Sequence, residues 1–200
     1  MDSKQTIHVF DVDGTITVSD SFMELLRYFN SSKLDWFYTW LRATPVLVSG
    51  ILRRDLAEAK LFLLSRLWKG KRQQDIYHDC FFFFNNRMKP YLRLKACAHI
   101  EQLQQNKPDE KIVLLSASCR EWIIHLAIYL DADLICTELK YDEQQQFTGL
   151  YATPNCKGIE KKRRLLEKYP ADKFEFVSYG NTSGDKALRC ISKQFFYRYF

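Results

Sequence analysis

Two aspartates, Asp11 and Asp13, stand one residue apart directly after the apolar run "IHVF" and directly before Gly14 and Thr15. A short apolar run bounded in this way predicts a buried strand. On an extended segment, side chains two positions apart point to the same side, so the two carboxylates would project together. Most Asp-Gly pairs only stabilise turns, and that is the alternative interpretation of these residues.

Polar side chains follow two other predicted strands. Ser116 comes after "KIVLL", Asn181 and Asp185 come after "FEFVSYG", and a basic helix with several lysines precedes the second of these strands. The carboxyl ends of parallel strands meet at one edge of a sheet, where sites form. Carboxylate, amide and hydroxyl oxygens suit Mg²⁺, and a lysine with hydrogen-bond donors suits a phosphate. These residues therefore predict a site for Mg²⁺ and a phosphate group together.

The segments that must position these residues alternate between helix and strand after residue 90, which favours a parallel sheet covered on both faces. Before that, about seventy residues follow only helical periodicity, with helix breaks expected near residues 43–45 and 69–71. We therefore predict an α/β fold, a three-layer Rossmann-like parallel sheet with a helical cap inserted after the first strand. The predicted core comprises residues 1–17 and 88–200, and the predicted cap comprises residues 18–87.

The composition is that of an ordinary globular domain: 200 residues, 46% hydrophobic and 27% charged, with a net charge of +6. The basic residues are scattered along the chain, so the charge indicates no single partner and we expect no nucleic acid. The six cysteines form no Cys-x-x-Cys pair and no compact framework, which favours free thiols and a cytoplasmic protein. The first residues lack the apolar core of a signal peptide, so export is not expected.

One segment leaves three interpretations open. From Trp36 to Leu52 the only charged residue is Arg42, and aromatic residues crowd the first half. A transmembrane helix needs about 20 predominantly apolar residues, and Arg42, Pro45 and Gly50 interrupt this stretch. Ordinary helical packing is the favoured interpretation, a surface that rests on a membrane is the second, and a spanning helix is the least favoured.

Four short motifs, taken in order, resemble those of the haloacid dehalogenase superfamily of aspartate-nucleophile phosphatases. "FDVDGTIT" matches the family's Asp-x-Asp-Gly-Thr motif, "VLLSAS" its Ser or Thr after a strand, "NCKGIEKKRRL" its lysine motif and "YGNTSGD" its acidic motif. The helical insertion stands where it does in the phosphoserine phosphatase-like subgroup. That subgroup's Cys-x-Gly-x-x-Lys pattern selects Lys161 over Lys157 or Lys162. In the fourth motif, Asn181 replaces the usual aspartate, which removes one negative charge from the expected metal site.

The resemblance implies a division of roles among these residues. Asp11 would be the nucleophile that forms an aspartyl-phosphate, and Asp13 would donate a proton to the leaving oxygen and later activate water. Ser116 and Lys161 would bind the substrate phosphate. Asp11, the backbone carbonyl of Asp13 and Asn181 would bind Mg²⁺. The supporting residues would be Gly14, Thr15 and Asp185.

The resemblance also bears on the substrate. A phosphoserine phosphatase would need a polar cap cleft, whereas this cap is aromatic and aliphatic and looks like that of bacterial subgroup members that include a phosphatidylglycerophosphate phosphatase. We therefore expect a phosphatase for a lipid-linked or otherwise apolar phosphomonoester, with peripheral membrane contact through the cap. The alternatives are a phosphatase for a small polar metabolite, a phosphotransferase that uses an alcohol acceptor, and a phosphate-binding module without turnover.

Overall fold

A parallel sheet forms the centre of the molecule. The computed structural model describes residues 4–30, 32–53 and 56–200, without the side chains of residues 33, 35, 36, 53 and 183. The strands are β1 (Gln5–Phe10), β2 (Lys111–Cys119), β3 (Asp133–Thr137), β4 (Leu139–Tyr141), β5 (Phe147–Tyr151), β6 (Phe174–Gly180) and β7 (Ser192–Tyr197). Five of them pair in the order β3-β2-β1-β6-β7, all parallel, while β4 and β5 form a separate antiparallel hairpin. The strand that precedes the two aspartates is therefore the middle one.

Helices cover this sheet and fill the long connection after its first strand. That connection holds α1 (Ser21–Phe29), α2 (Lys33–Arg53), α3 (Ala57–Trp68) and α4 (Gln73–Phe83), followed by a π-helical turn (Phe84–Met88) and a 3-10 turn (Lys89–Tyr91). The remaining helices are α5 (Leu94–Asn106), α6 (Arg120–Tyr129), α7 (Ile159–Lys168) and the short α8 (Lys186–Arg189). The predicted helical insertion after the first strand is confirmed. The exact limits of the cap, residues 18 and 87, stay a prediction.

Both faces of the sheet are buried, as strand alternation requires. Ile7 and Val9 of β1 pack on one side with Leu165 of α7. Phe10 lies in the opposite layer together with Trp122 of α6 and side chains of the inserted helices. Successive strand residues point to opposite faces, so a strand with both sets buried must lie between two layers of helices. The predicted three-layer α/β fold is confirmed.

Local signals account for the start of α1 and for the break between α3 and α4. Asp20 caps α1: its Oδ1 accepts hydrogen bonds from the backbone N–H of Phe22 at 2.9 Å and of Met23 at 3.2 Å. The predicted break at residues 69–71 separates α3 from α4. The other predicted break, near residues 43–45, is wrong, because α2 continues through Pro45. Proline removes one hydrogen bond from a helix, and Pro45 lies on the exposed side, where water can satisfy the carbonyl it leaves unpaired.

Two features of the sheet differ from the sequence expectation. β2 continues past "KIVLL" to Cys119, so Ser116 lies within the strand and not after it. The register between β2 and β3 shifts between Ser116 and Cys119, which is an irregularity at the edge where the polar residues meet.

The edge strand β7 was not predicted. Its residues are all half-buried or exposed, and its first half, residues 192–194, is polar, so the strand does not begin with an apolar run.

The segment from Trp36 to Leu52 lies within α2, although the side chain of Trp36 is outside the described residues. In the described part of the chain, no helix combines the length and the apolar content that are needed to cross a bilayer. Along α2, Ala43 and Gly50 are buried, whereas Leu41 and Leu52 are exposed. The helix therefore packs on the protein with one face and leaves an apolar face exposed.

Candidate active site

The carboxyl ends of β1, β2 and β6 meet at one edge of the sheet, as the parallel pairing requires. The N-terminus of α3 lies over this edge and encloses a cavity of about 250 Å³. The cavity is lined by Asp11, Asp13, Asp20, Leu56, Ala57, Lys60, Ala117, Asn155, Lys157, Lys161, Thr182, Gly184 and Asp185. The predicted aspartates and the predicted lysine thus share one cavity.

A buried lysine joins two carboxylates at the floor of this cavity. Lys161 Nζ donates hydrogen bonds to Asp11 Oδ1 at 2.5 Å and to Asp185 Oδ1 at 2.7 Å. All three side chains are almost fully buried. Burial alone would lower the pKa of Lys161, but the charges of Asp11 and Asp185 outweigh it and raise that pKa. The lysine is therefore a fixed positive charge beside the first aspartate.

The two carboxylates of this triad have opposite pKa shifts. Burial raises the pKa of Asp11 to about 6, although Lys161 opposes the shift. Burial also tends to raise the pKa of Asp185, but Lys161 and hydrogen bonds from Thr182 lower it. Asp185 Oδ2 accepts from the backbone N–H of Asn181 and Thr182 and from Thr182 Oγ1, at 2.9 to 3.2 Å. Asp185 thus holds both Lys161 and the loop after β6.

The choice among the lysines of the third motif agrees with the geometry. Lys161 is on the buried side of α7, whereas Lys157 is exposed and precedes the helix. Lys157 also lines the cavity, while Lys162 is half-buried and is not part of the lining. Helical periodicity explains the difference, because consecutive residues point about 100° apart around a helix.

Asp13 lies in a different environment from Asp11. Its Oδ1 accepts a hydrogen bond from the backbone N–H of Ser21 at 2.7 Å, and its Oδ2 accepts one from Ser118 Oγ at 2.7 Å. Ser21 Oγ lies 3.3 Å from Ser118 Oγ and accepts a bond of 3.0 Å from Trp122 Nε1. Because Ser118 gives its proton to Asp13, Ser21 must donate to Ser118. The result is one directed chain of donors, Trp122 to Ser21 to Ser118 to Asp13, which we call the Asp13 relay.

The sequence reasoning missed all three donors of the Asp13 relay. Ser21 belongs to the insertion, Ser118 lies inside β2, and Trp122 lies on α6, so about a hundred residues separate Ser21 from the other two. One available signal was Ser118 itself, a hydroxyl two positions after Ser116, which lies on the same face as Ser116 once β2 continues to Cys119. The relay connects the first inserted helix to the core directly at a predicted catalytic group.

Ser116 lies deeper than its predicted role requires. It is fully buried, and its Oγ accepts a hydrogen bond of 3.0 Å from the backbone N–H of Ser118. Ala117, and not Ser116, lines the cavity. Thr15 Oγ1 lies 3.5 Å from Asp11 Oδ2, at the outer limit for a hydrogen bond. Contact of Ser116 with a substrate phosphate therefore stays a prediction; the bond from Ser118 uses only a lone pair of Oγ and leaves the O–H hydrogen of Ser116 to donate elsewhere.

Asn181 and Gly14 fit each other closely. Gly14 has a φ of +78°, and a Cβ placed on it would lie 2.0 Å from Asn181 Nδ2. Asn181 Oδ1 is buried and has no hydrogen-bond partner within the described ranges. A buried carbonyl oxygen without a partner is costly unless a ligand satisfies it. The amide is thus packed against the turn after β1 with an oxygen available to bind a cation.

The donor set suits Mg²⁺ better than a metal that needs many protein ligands. No group of three or more His, Cys, Asp or Glu residues in the described ranges is arranged to hold a metal ion. Mg²⁺ commonly takes only one or two carboxylates and fills its remaining positions with water and phosphate oxygens. Asp11, the unpartnered Oδ1 of Asn181 and the backbone carbonyl of Asp13 would fit this pattern. The side chain of Asp13 is already engaged in the relay.

Comparisons with known proteins agree with this geometry. The family model of haloacid dehalogenase-like hydrolases matches residues 8–188. Protein CicA of Caulobacter vibrioides is 30% identical over 192 residues, which cover 96% of this chain and 85% of that protein. A crystal structure of a protein with unknown function from Bordetella pertussis Tohama I has a TM-score of 0.74 at 17% identity, covering 96% of this chain and 89% of that chain.

A phosphoserine phosphatase solved as a phospho-aspartyl intermediate analogue has the same fold. Its TM-score is 0.64 at 13% identity, covering 96% of this chain and 86% of that chain. A substrate-bound phosphoserine phosphatase has a TM-score of 0.61, also at 13% identity, and covers 98% of this chain and 87% of that chain. At these identities the likeness is one of fold.

Proposed function

The chain belongs to the haloacid dehalogenase-like hydrolase family, and on that premise we propose that it is a Mg²⁺-dependent phosphatase that hydrolyses a phosphomonoester through an aspartyl-phosphate on Asp11. The observation that carries the proposal is the buried triad in which Lys161 bridges Asp11 and Asp185. A phosphate dianion would be repelled by two carboxylates without a fixed counter-charge. Lys161 supplies that charge beside the attacking group.

In the proposed reaction the two aspartates have separate roles. Asp11 attacks phosphorus, and its new O–P bond forms as the bond from phosphorus to the leaving oxygen breaks. Asp13 gives a proton to that oxygen. It then takes a proton from a water molecule that attacks the aspartyl-phosphate, which releases phosphate and restores Asp11.

The other groups orient the reactants and balance charge. The Asp13 relay fixes the direction of that carboxylate, and Asp185 fixes Lys161. Mg²⁺, held by Asp11, the carbonyl of Asp13 and Asn181, would supply further positive charge against the phosphoryl oxygens. Gly14 leaves the space that Asn181 occupies.

We extend the proposal to a substrate with an apolar portion. Leu56 and Ala57 form part of the cavity wall, at the point where the chain leaves α2 and enters α3. An acyl or other apolar group bound there would remain next to a phosphate bound at Lys161. Binding energy from that remote group can be used to orient the phosphate, so it would raise turnover as well as affinity.

The first experiment measures hydrolysis of p-nitrophenyl phosphate with and without Mg²⁺. Asp11→Asn should lower kcat on the order of 10³-fold or more, because the nucleophile is lost, and excess chelator should abolish activity. Asp172→Asn, at an exposed position, is the matched control. Undiminished activity in Asp11→Asn or in chelator would refute the mechanism. Phosphate binding without turnover by the parent protein would indicate a binding module, and stimulation by an added alcohol would indicate phosphotransfer.

A second experiment tests the substrate class. The value of kcat/KM should rise with acyl length in a series of phosphomonoesters, because each additional methylene buries apolar surface. Phosphoserine serves as the small polar comparison. A flat dependence on chain length, or a preference for phosphoserine, would reject the apolar substrate and leave a small polar metabolite.

A further inference from the structure

An apolar stripe runs along the exposed side of α2. It consists of Leu34, Phe37, Tyr38, Leu41, Val48 and Leu52, each between 51% and 80% exposed. At 3.6 residues per turn these positions fall within about 100° of one another around the helix. The 21 residues of α2 give the stripe a length of about 30 Å. We refer to it as the α2 stripe.

The α2 stripe is not explained by packing within the protein. The opposite side of the helix, with Ala43 and Gly50, is the buried side. Single exposed apolar residues are common on any protein, but six that share one helix face are a contiguous patch of the kind that marks an interaction surface. Among the described residues no helix is long and apolar enough to cross a bilayer, and a stripe along one face favours contact along the side of α2.

The charged residues of α2 favour an anionic lipid surface as the partner of the stripe. The sequence of α2 contains the basic residues Lys33, Arg42 and Arg53, with Asp35 as its one acidic residue. Arg42 is exposed and adjoins the stripe. A helix with an apolar face and an excess of basic residues matches the boundary between acyl chains and anionic headgroups. A second copy of this chain would instead meet the stripe with the same basic charges, which repel each other.

We propose that α2 lies in the plane of an anionic lipid surface, with the side chains of the α2 stripe reaching the acyl chains and the helix backbone at the level of the headgroups, where water still reaches the carbonyl that Pro45 leaves unpaired. The C-terminal end of the stripe at Leu52 is followed by Leu56 and Ala57, which line the cavity that contains Asp11. The mouth of the cavity would therefore open beside the bilayer. The binding itself is independent of the proposed function, whereas delivery of a lipid phosphomonoester to Asp11 rests on it.

Co-sedimentation with vesicles tests the proposal. The full chain is mixed with vesicles of phosphatidylcholine alone or of phosphatidylcholine with phosphatidylglycerol. The parent protein should bind the anionic vesicles. The affinity of the double variant Leu41→Ser/Val48→Ser for these vesicles should be lower by a factor of about ten or more, because two inserted side chains are lost. Arg42→Glu should weaken binding to the anionic vesicles more than to the neutral ones.

The matched control is Leu94→Ser/Ile128→Ser, which removes two exposed apolar side chains from α5 and α6 and should bind as the parent protein does. Circular dichroism and the Tm of each variant establish that it is folded. Three results would overturn the proposal: no binding by the parent protein, equal loss of binding in the control, or a dimer in solution that the double variant abolishes. Absence of p-nitrophenyl phosphate hydrolysis would refute the proposed function and leave vesicle binding unaffected.

Discussion

The free energy of unfolding of this protein should fall as the pH rises toward 8 because Glu121 ionises, and replacing Glu121 with Gln should remove this part of the pH dependence. Glu121 lies in the first turn of α6 and is 1% exposed. Its Oε1 accepts a hydrogen bond of 3.0 Å from Tyr141 Oη, while its Oε2 has no hydrogen-bond partner in the described part of the chain. Burial raises the pKa of Glu121 from 4.5 to about 7, against the effect of its hydrogen bonds.

The sign and size of the effect follow from this pKa. Because the folded state binds the proton more tightly than the unfolded state, Glu121 contributes stability that is present below pH 4.5 and is lost as the pH rises through about 7. The difference between the pKa of 4.5 in the unfolded state and about 7 in the folded state corresponds to a contribution of about 3 kcal/mol to the free energy of unfolding. Of this amount, about 2.5 kcal/mol should be lost between pH 5 and pH 8.

The assay is urea unfolding from pH 5 to pH 8, which measures the free energy of unfolding for the parent protein and for Glu121→Gln. The amide cannot ionise, so the difference in the free energy of unfolding between the two proteins should shift by about 2.5 kcal/mol across this range in favour of the variant.

Tyr141→Phe, made in the parent protein, should steepen the fall in the free energy of unfolding with pH, because it removes a donor that favours the ionised form of Glu121. Glu143→Gln, at an exposed turn, is the control and should follow the parent within about 0.5 kcal/mol. Parallel pH profiles for the parent and Glu121→Gln would refute the reasoning.

Three further predictions concern the candidate active site. Lys161→Ala should lower kcat/KM for p-nitrophenyl phosphate about 10²-fold more than Lys157→Ala or Lys162→Ala, because of these three lysines only Lys161 contacts Asp11. Equal losses in the three variants would mean that the phosphate-binding role is assigned to the wrong lysine. Asn181→Asp should lower the Mg²⁺ concentration that gives half-maximal activity, since an anionic ligand binds a hard cation more strongly, and an unchanged requirement would exclude Asn181 as a ligand. Gly14→Ala should raise that concentration, because the added Cβ would displace the Asn181 side chain, and calorimetry should also record a lower Tm from the positive φ; an unaltered Mg²⁺ requirement would contradict the fit between the two residues.

The placement of the main site groups could be predicted because it depends on strand ends. Asp11 and Asn181 follow strands whose apolar runs are visible in the sequence, and parallel pairing brings such ends together. Lys161 could be selected by its motif, and the buried side of α7 agrees with that choice. The Asp13 relay could not be predicted in this way, because Ser21 and Trp122 meet only after the inserted helix packs on the core.

The parts of the fold that sequence reasoning missed are those with weak local signals. β7 is an edge strand with no fully buried residue, and only its second half, residues 195–197, carries the aromatic run that favours a strand. Pro45 indicates a helix break in most contexts, but on the exposed side of α2 the helix tolerates it. Contacts with the rest of the chain decide both features, and local composition does not contain those contacts.

The position of β1 in the middle of the sheet determines how Asp11, the proposed nucleophile, responds to thermal fluctuation. β1 pairs with β2 on one side and β6 on the other, and the amide of Asp11 continues the ladder with a hydrogen bond of 2.9 Å to the carbonyl of Tyr179. Such amides exchange with deuterium only when most of the domain opens, whereas the ends of a peripheral helix exchange through local fraying. We therefore expect the amide of Asp11 to be among the slowest to exchange in the described part of the chain, and the alignment of Asp11 to persist up to global unfolding.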